Sequence, residues 1–355
     1  MQRSQGKNGA RKASTQGFEE ALVGKLKGAS TARNGFRPAR SRARLQVGIG
    51  DDAALWSPRP GHQTLLTCDW FLEGVHFLRG KHPPDAVGWK CLARAASDIA
   101  AMGGEPRCCL LSLALPRSAT GQWLDLFLSG LRRAQARLKC ALAGGDTTRS
   151  ERILINVTVL GEVPNGGAVL RSGARPGDAV FVSGRLGEAQ LGLHLLREAP
   201  HVSRRDAVIR KHLYPEPRLA LGAWLARTKL ATAMMDLSDG LSSDLRRLCE
   251  ASGVGARIEA AKLPVVRRED LGREEALRLA LDGGEDYELL FTVARKSCHR
   301  VPKRLAGLRL SAVGVITSEP QLSLAVARPG KGLADREARE RARPLMPAGW
   351  DPFSS

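Results

Sequence analysis

Four segments of this chain gather acidic residues and glycines in the manner of a loop. The segments are Gly48-Ile49-Gly50-Asp51-Asp52, Gly144-Gly145-Asp146-Thr147-Thr148, Asp236-Leu237-Ser238-Asp239-Gly240 and Gly283-Gly284-Glu285-Asp286. Glycine lets backbone N–H groups approach phosphate oxygens, and an aspartate offers hard oxygen ligands to the magnesium that accompanies such phosphates. Thr67-Cys68-Asp69 and Ser97-Asp98 add further oxygen donors. One such loop alone reads equally well as a turn with a capping acid. Several together, in a basic chain, point to metal-dependent phosphate chemistry. Neither a Walker A sequence nor the H-R-D and D-F-G set of protein kinases is present, so nucleotide binding requires another architecture.

Two other readings of these segments fit less well. Residues 48–53 fit G-x-G-x-x-A, with Glu73 about 20 residues on, as a dinucleotide site would require. Asp51 and Asp52 would repel a pyrophosphate, and Pro58 and Pro60 argue against a following helix, so cation ligation is the better account. Helix capping explains Ser238 or Asp239 singly but leaves Asp236 without a role.

These residues need strands and helices to hold them. Apolar periodicity predicts a helix over 86–102, opened by Pro83-Pro84-Asp85 and closed by Gly103-Gly104, with Asp98 in its last turns. A short apolar run at 65–68, strands over 108–115 and 153–163 and a helix over 121–138 complete the first half. Residues 142–149 read as a short strand delivering glycines, Asp146 and two hydroxyls into a loop. A turn-rich connector at 164–176 marks the domain boundary. Beyond it, strands are expected over 179–183, 233–237, 289–293 and 310–315, and helices over 187–196, 217–227, 241–252 and 274–281. Three regions follow: a basic arm (1–44), an N-terminal domain (45–165) and a C-terminal domain (176–355), both domains α+β.

A length of 355 residues favours two cores. No uncharged apolar stretch reaches 18 residues, and the polar, basic N-terminus lacks the apolar run of a signal peptide, so a cytoplasmic protein is expected. The seven cysteines contain no C-x-x-C pair and read as reduced core residues. Residues 1–45 carry eleven Lys or Arg and two acids, about half of the net charge of +19. That arm is the one candidate for nucleic-acid binding; the charge on the rest would attract phosphate-bearing ligands.

In their order, Gly48 to Asp52, Thr67 to Asp69, Ser97-Asp98-Ile99-Ala100-Ala101-Met102-Gly103, Gly144 to Thr148, Arg171-Ser172-Gly173-Ala174, Asp236 to Gly240 and Gly283 to Tyr287 resemble the thiamine-monophosphate kinase family. The resemblance runs from about residue 45 to the C-terminus. It implies an α+β, two-domain, aminoimidazole-ribonucleotide-synthetase-like fold with mixed or antiparallel sheets and packed helices, dimerising through N-terminal-domain strands. It also implies phosphorylation of thiamine monophosphate by ATP to thiamine diphosphate. By matching positions, Asp51, Thr67, Cys68, Asp69, Asp98, Asp146, Asp236 and Asp239 would hold Mg2+, with Asp51, Asp98, Asp146 and Asp236 central to catalysis. Gly145, Asp146, Arg171 and Ser238 would meet ATP. His76, Glu285 and Trp350 would meet the thiamine substrate, although His76 taken alone reads as an ordinary histidine and Trp350 as a C-terminal anchor. Cys68 stands where the family usually has a hydroxyl residue, so its backbone carbonyl is the expected magnesium contact. Ala95 replaces an Asn often found there. Selenophosphate synthetases and hydrogenase-maturation proteins are the nearest alternatives. The absence of a cysteine in residues 1–45 and the ending Phe353-Ser354-Ser355 are expected to separate the chain from them.

Overall fold

The structure, a computed structural model, describes residues 24–26, 28, 44–49, 51–198, 206–327, 340–351 and 353. The basic arm expected over 1–44 therefore lies outside the described residues apart from Gly24 to Leu26, Gly28 and Arg44. The same holds for Gly50. Two compact units are present, drawn from Met1–Pro60, Cys68–Leu92 and Pro106–Leu160, and from Gly61–Thr67, Ala93–Glu105 and Gly161–Ser355.

The N-terminal half contains β1 (Arg44–Val47), β2 (Leu55–Ser57), β3 (His62–Leu72), α1 (Pro84–Ala101), β4 (Glu105–Leu115), α2 (Gln122–Leu138), β5 (Ala141–Arg149) and β6 (Leu154–Pro164). β1 and β2 form a small antiparallel pair. The main sheet has the order β3-β6-β4-β5. Helix α1 starts at Pro84, where the missing N–H costs nothing, with Asp85 in its first turn. Helix α2 buries Leu124, Phe127, Leu128, Leu131, Ala134 and Leu138, a stripe at three- and four-residue spacing. The two helices touch through glycines. A Cβ on Gly88 would lie 2.0 Å from the Phe127 carbonyl oxygen, and one on Gly130 would lie 1.8 Å from that of Asp85.

The C-terminal half adds β7 (Ala179–Ser183), α3 (Glu188–Glu198), α4 (Ala207–Leu213), α5 (Leu219–Thr228), β8 (Ala231–Leu237), α6 (Leu241–Ser252), β9 (Gly255–Glu259), α7 (Arg273–Asp282), β10 (Glu288–Val293), β11 (Arg304–Leu305), β12 (Leu308–Thr317), β13 (Leu322–Ala327) and β14 (Glu340–Pro344). They build a sheet of order β14-β13-β9-β12-β7-β10-β8, with β11 paired to β12. The neighbours β7, β8, β9, β10 and β12 pair antiparallel; β13 joins β9 in parallel. Both faces are buried. Val180, Val182, Met235, Leu237 and Leu290 pack with Leu245 and Leu248 of α6, while Phe181, Met234, Leu289 and Phe291 pack with Leu221 and Leu225 of α5. Two-sided burial explains why these strands read as continuous apolar runs rather than alternating ones. Among the described residues no helix is long and apolar enough to cross a membrane.

One local expectation changes and another holds. Residues 144–149 continue strand β5 beside β4 rather than forming a loop. Gly145, at φ +152, belongs there because a Cβ would lie 1.8 Å from the Leu111 carbonyl oxygen, so the neighbouring backbone can approach only a glycine. After Asp51 the chain forms β2 and no helix, and the Glu73 carboxylate accepts from the Ile153 N–H at 2.8 Å, a structural role.

Candidate active site

Within the first unit, a Cβ on Gly48 would lie 3.7 Å from the Ala143 carbonyl oxygen, so Gly48 lies beside the start of β5, the strand that carries Asp146. Asp51 and Asp146 each accept from the backbone N–H of the next residue, Asp51 from Asp52 at 2.9 Å and Asp146 from Thr147 at 2.8 Å. Such a bond occupies one oxygen and aims the other outward. On β3, the Cys68 thiol exchanges hydrogen bonds with the Asn156 side chain at 3.1–3.2 Å. The thiol is thus engaged with a protein partner. Asp69 follows it on the same strand. His76 lies in the turn after β3; its Nδ1 accepts from the Leu72 N–H at 3.1 Å and its ring lies 5.9 Å from that of Phe71. The Nδ1 bond sets the ring's orientation and makes Nε2 the protonated nitrogen of the neutral imidazole.

Within the second unit, the Thr67 hydroxyl donates to Asp98 Oδ2 at 2.5 Å, joining the end of one predicted motif to the helix acid of another. Asp236 is the buried penultimate residue of β8. The loop that follows brings Ser238, Asp239, Glu285 and Trp350 together. The Ser238 carbonyl accepts from the Glu285 N–H at 2.7 Å, and the Asp239 carbonyl accepts from the Trp350 N–H at 2.9 Å. Gly240, at φ +109, turns the chain into α6 where a Cβ would lie 2.8 Å from Asp282 backbone. The Arg171 backbone lies near the other end of that helix. Its carbonyl accepts from Ser252 at the far end of α6, a length of about 16–18 Å from the Ser238 loop.

Residues that carried no role in the sequence reading hold this loop. Asp244, in the first turn of α6, accepts from the N–H groups of both Ser238 and Asp239 at 3.0 Å. Burial pushes its carboxyl up to about 6, against the opposing pull of those bonds and of Arg247. Arg247 reaches Asp239 Oδ2 at 2.5 Å and Asp244 Oδ1 at 2.6 Å. The Glu285 carboxylate lies 3.2 Å from Nδ1 of the buried His212. Asp286 caps α3 by accepting from Gly187 and Ala189, and burial pushes it up to about 7. Burial would also raise Glu288, yet Lys211 and Arg218 outweigh it and hold the carboxylate down to about 2. The acid spacing at Asp239 and Asp244 is the one trace of this scaffold in the sequence, because an i, i+5 pair reaching over a helix start suggests a cap.

The comparisons with known proteins agree with the motifs. Residues 50–163 match the N-terminal domain and residues 175–327 the C-terminal domain of the AIR synthase related proteins. Thiamine-monophosphate kinase of Synechococcus elongatus is 38% identical over 296 residues, 81% of this chain and 88% of that protein. The chain belongs to the thiamine-monophosphate kinase family. Its two-domain α+β architecture is the family's. The crystal structure of thiamine-monophosphate kinase from Stenotrophomonas maltophilia K279a superposes with a TM-score of 0.74 at 35% identity, covering 86% of this chain and 95% of that one. AaThiL complexed with AMPPCP and TMP gives a TM-score of 0.68 at 36% identity, covering 83% and 91%.

The donors this family member offers are carboxylate and hydroxyl oxygens at Asp51, Thr67, Asp69, Asp98, Asp146, Asp236 and Asp239, a set suited in kind to a hard divalent cation. Among the described residues no three His, Cys, Asp or Glu side chains gather as a metal centre. The carboxylates instead rest on backbone N–H groups, on Thr67 and on Arg247.

Proposed function

We propose that the chain is a magnesium-dependent thiamine-monophosphate kinase that passes the γ-phosphoryl group of ATP directly to the phosphate of thiamine monophosphate. The observation that carries this reading is the likeness to AaThiL complexed with AMPPCP and TMP, at 36% identity over 83% of this chain. AMPPCP is an ATP mimic, and TMP in this family is thiamine monophosphate.

Asp51, Thr67, Asp69, Asp98, Asp146, Asp236, Asp239 and the Cys68 carbonyl would hold Mg2+, which when bound neutralises the crowded phosphate oxygens. Gly145, Asp146, Arg171 and Ser238 take the nucleotide; His76, Glu285 and Trp350 take the thiamine moiety. A phosphate oxygen of the acceptor forms the new bond to the γ-phosphorus as the bond to the β,γ-bridging oxygen breaks, releasing ADP. The acceptor's second pKa is near about 6, so it already offers an anionic oxygen at neutral pH and needs alignment rather than a general base. No covalent phospho-enzyme is required.

Residues 45–165 serve as the ATP, metal and dimerisation domain, and 176–355 as the C-terminal domain with its substrate-contacting tail. A homodimer is supported by an apolar face of β3, where Leu66 is 69% and Trp70 55% exposed. A cytoplasmic location fits the use of ATP. The test is ADP release and thiamine diphosphate formation from ATP and thiamine monophosphate, abolished by a chelator and restored by magnesium. Absence of turnover with magnesium present would overturn the reading.

A further inference from the structure

The tail carrying Trp350 is held by its backbone, not by its ring. Three consecutive N–H groups dock on the start of α6: Ala348 donates to Ser242 Oγ at 3.2 Å, Gly349 to Ser243 Oγ at 3.1 Å and Trp350 to the Asp239 carbonyl at 2.9 Å. Upstream, Leu345 is buried in the core and its N–H donates to the Leu322 carbonyl at 2.9 Å, which fixes where the segment departs from the sheet. Trp350 itself is 47% exposed. An aromatic ring anchoring a chain end would be buried; here the backbone supplies the anchor and leaves the ring accessible for stacking.

The receiving groups are built for the task. Ser242 is fully buried and donates its own hydroxyl hydrogen to Asp282 Oδ1 at 2.7 Å, so its oxygen lone pairs are left for the Ala348 N–H. Gly349 admits no side chain, since a Cβ would lie 2.0 Å from the Asp239 carbonyl oxygen and 2.7 Å from Ser243 Oγ. Asp239 accepts the Trp350 N–H on its carbonyl while its carboxylate meets Arg247 at 2.5 Å, so the acid loop and the tail share one residue.

We propose that Ser242, Ser243 and Gly349 form a clamp that positions Trp350 for thiamine monophosphate and thereby sets affinity for that substrate and not for ATP. The clamp rests on the reading of Trp350 as a contact to the thiamine ring. The three are positioning residues; none touches the reacting atoms.

The experiment measures kcat and KM for both substrates in the full-length protein carrying S243A, S243T, G349A or W350A, and in S243A/W350A, with the thermal midpoint confirming folding. S243A and G349A are expected to raise KM for thiamine monophosphate about tenfold while leaving KM for ATP unchanged. S243T, which keeps the hydroxyl, restores it. S243A adds no loss in the W350A background, because a clamp acts only through the residue it holds. Equal rises for both substrates, or losses that multiply in the double variant, make the tail a structural strap and overturn the clamp. A raised KM in W350A beside unchanged values in S243A and G349A overturns the clamp alone. An unchanged KM in W350A overturns the contact itself, and the clamp with it.

Discussion

At the scale of single residues, Asp51, Asp98 and Asp146 each accept a hydrogen bond from an uncharged donor. Asp51 and Asp146 rest on the next residue's N–H, and Asp98 on the Thr67 hydroxyl. An asparagine keeps an oxygen that can accept each of these bonds, so Asp51→Asn and Asp98→Asn should fold normally. Each would lose a unit of the charge proposed to hold magnesium, and kcat is expected to fall at least about a hundredfold, with a higher magnesium requirement. Titrating activity with magnesium for each variant checks this; wild-type turnover at wild-type magnesium would remove that residue from the metal set. Glu288 makes the contrasting case, a fully buried carboxylate between Lys211 and Arg218. Its pKa is lowered from 4.5 to about 2, so its stabilising effect is present above pH 4.5 and is lost as pH falls through about 2. Glu288→Gln leaves two cations without their counter-charge and should cost about 3–5 kcal/mol at pH 7. Denaturant unfolding of both proteins should show that gap closing between pH 4.5 and 2; a gap independent of pH would assign the loss to packing.

At the scale of elements, the sequence reading was strong where burial leaves an unbroken signal. Strand Ala179–Ser183 and helix Leu241–Ser252 fall where apolar runs and periodicity put them. It was weak where partners far along the chain decide. Gly144 to Arg149 carries the glycines and polar residues of a loop, yet pairs with β4 because Leu111 supplies a ladder that local propensity does not reveal. Short edge elements such as β2 and β14 have too few residues to show a period. In the site, Asp236, Ser238, Asp239 and Glu285 were legible from their glycine-flanked loops. His212, Lys211 and Arg218 were not, because nothing near them in sequence marks which acids they meet. Gly145→Ala tests the strand reading directly. Its Cβ would enter the Leu111 carbonyl at 1.8 Å, so β4 and β5 must separate and stability should fall by about 1–3 kcal/mol or more. Unaltered thermal stability in this variant would contradict the close pairing.

At the scale of the whole molecule, charge and acceptor chemistry decide what the protein does. About half of its net charge of +19 lies before residue 46, whereas the family match begins at residue 50. Removing the first 15 residues should therefore leave kcat nearly unchanged, and a folded truncation without activity would show that the arm contributes to the site. The proposed roles give the acids to magnesium and the donors to phosphate and assign no residue as base for an alcohol, and a phosphate monoester is the nucleophile that needs none at neutral pH. The most direct measurement compares kcat/KM for thiamine monophosphate and for free thiamine at the same ATP and magnesium concentrations. The account predicts rapid ADP release with the monophosphate and a value at least about a thousandfold lower with thiamine, whose hydroxyl must lose a proton and cannot occupy the phosphate position. Comparable values for the two acceptors would contradict direct transfer between phosphates.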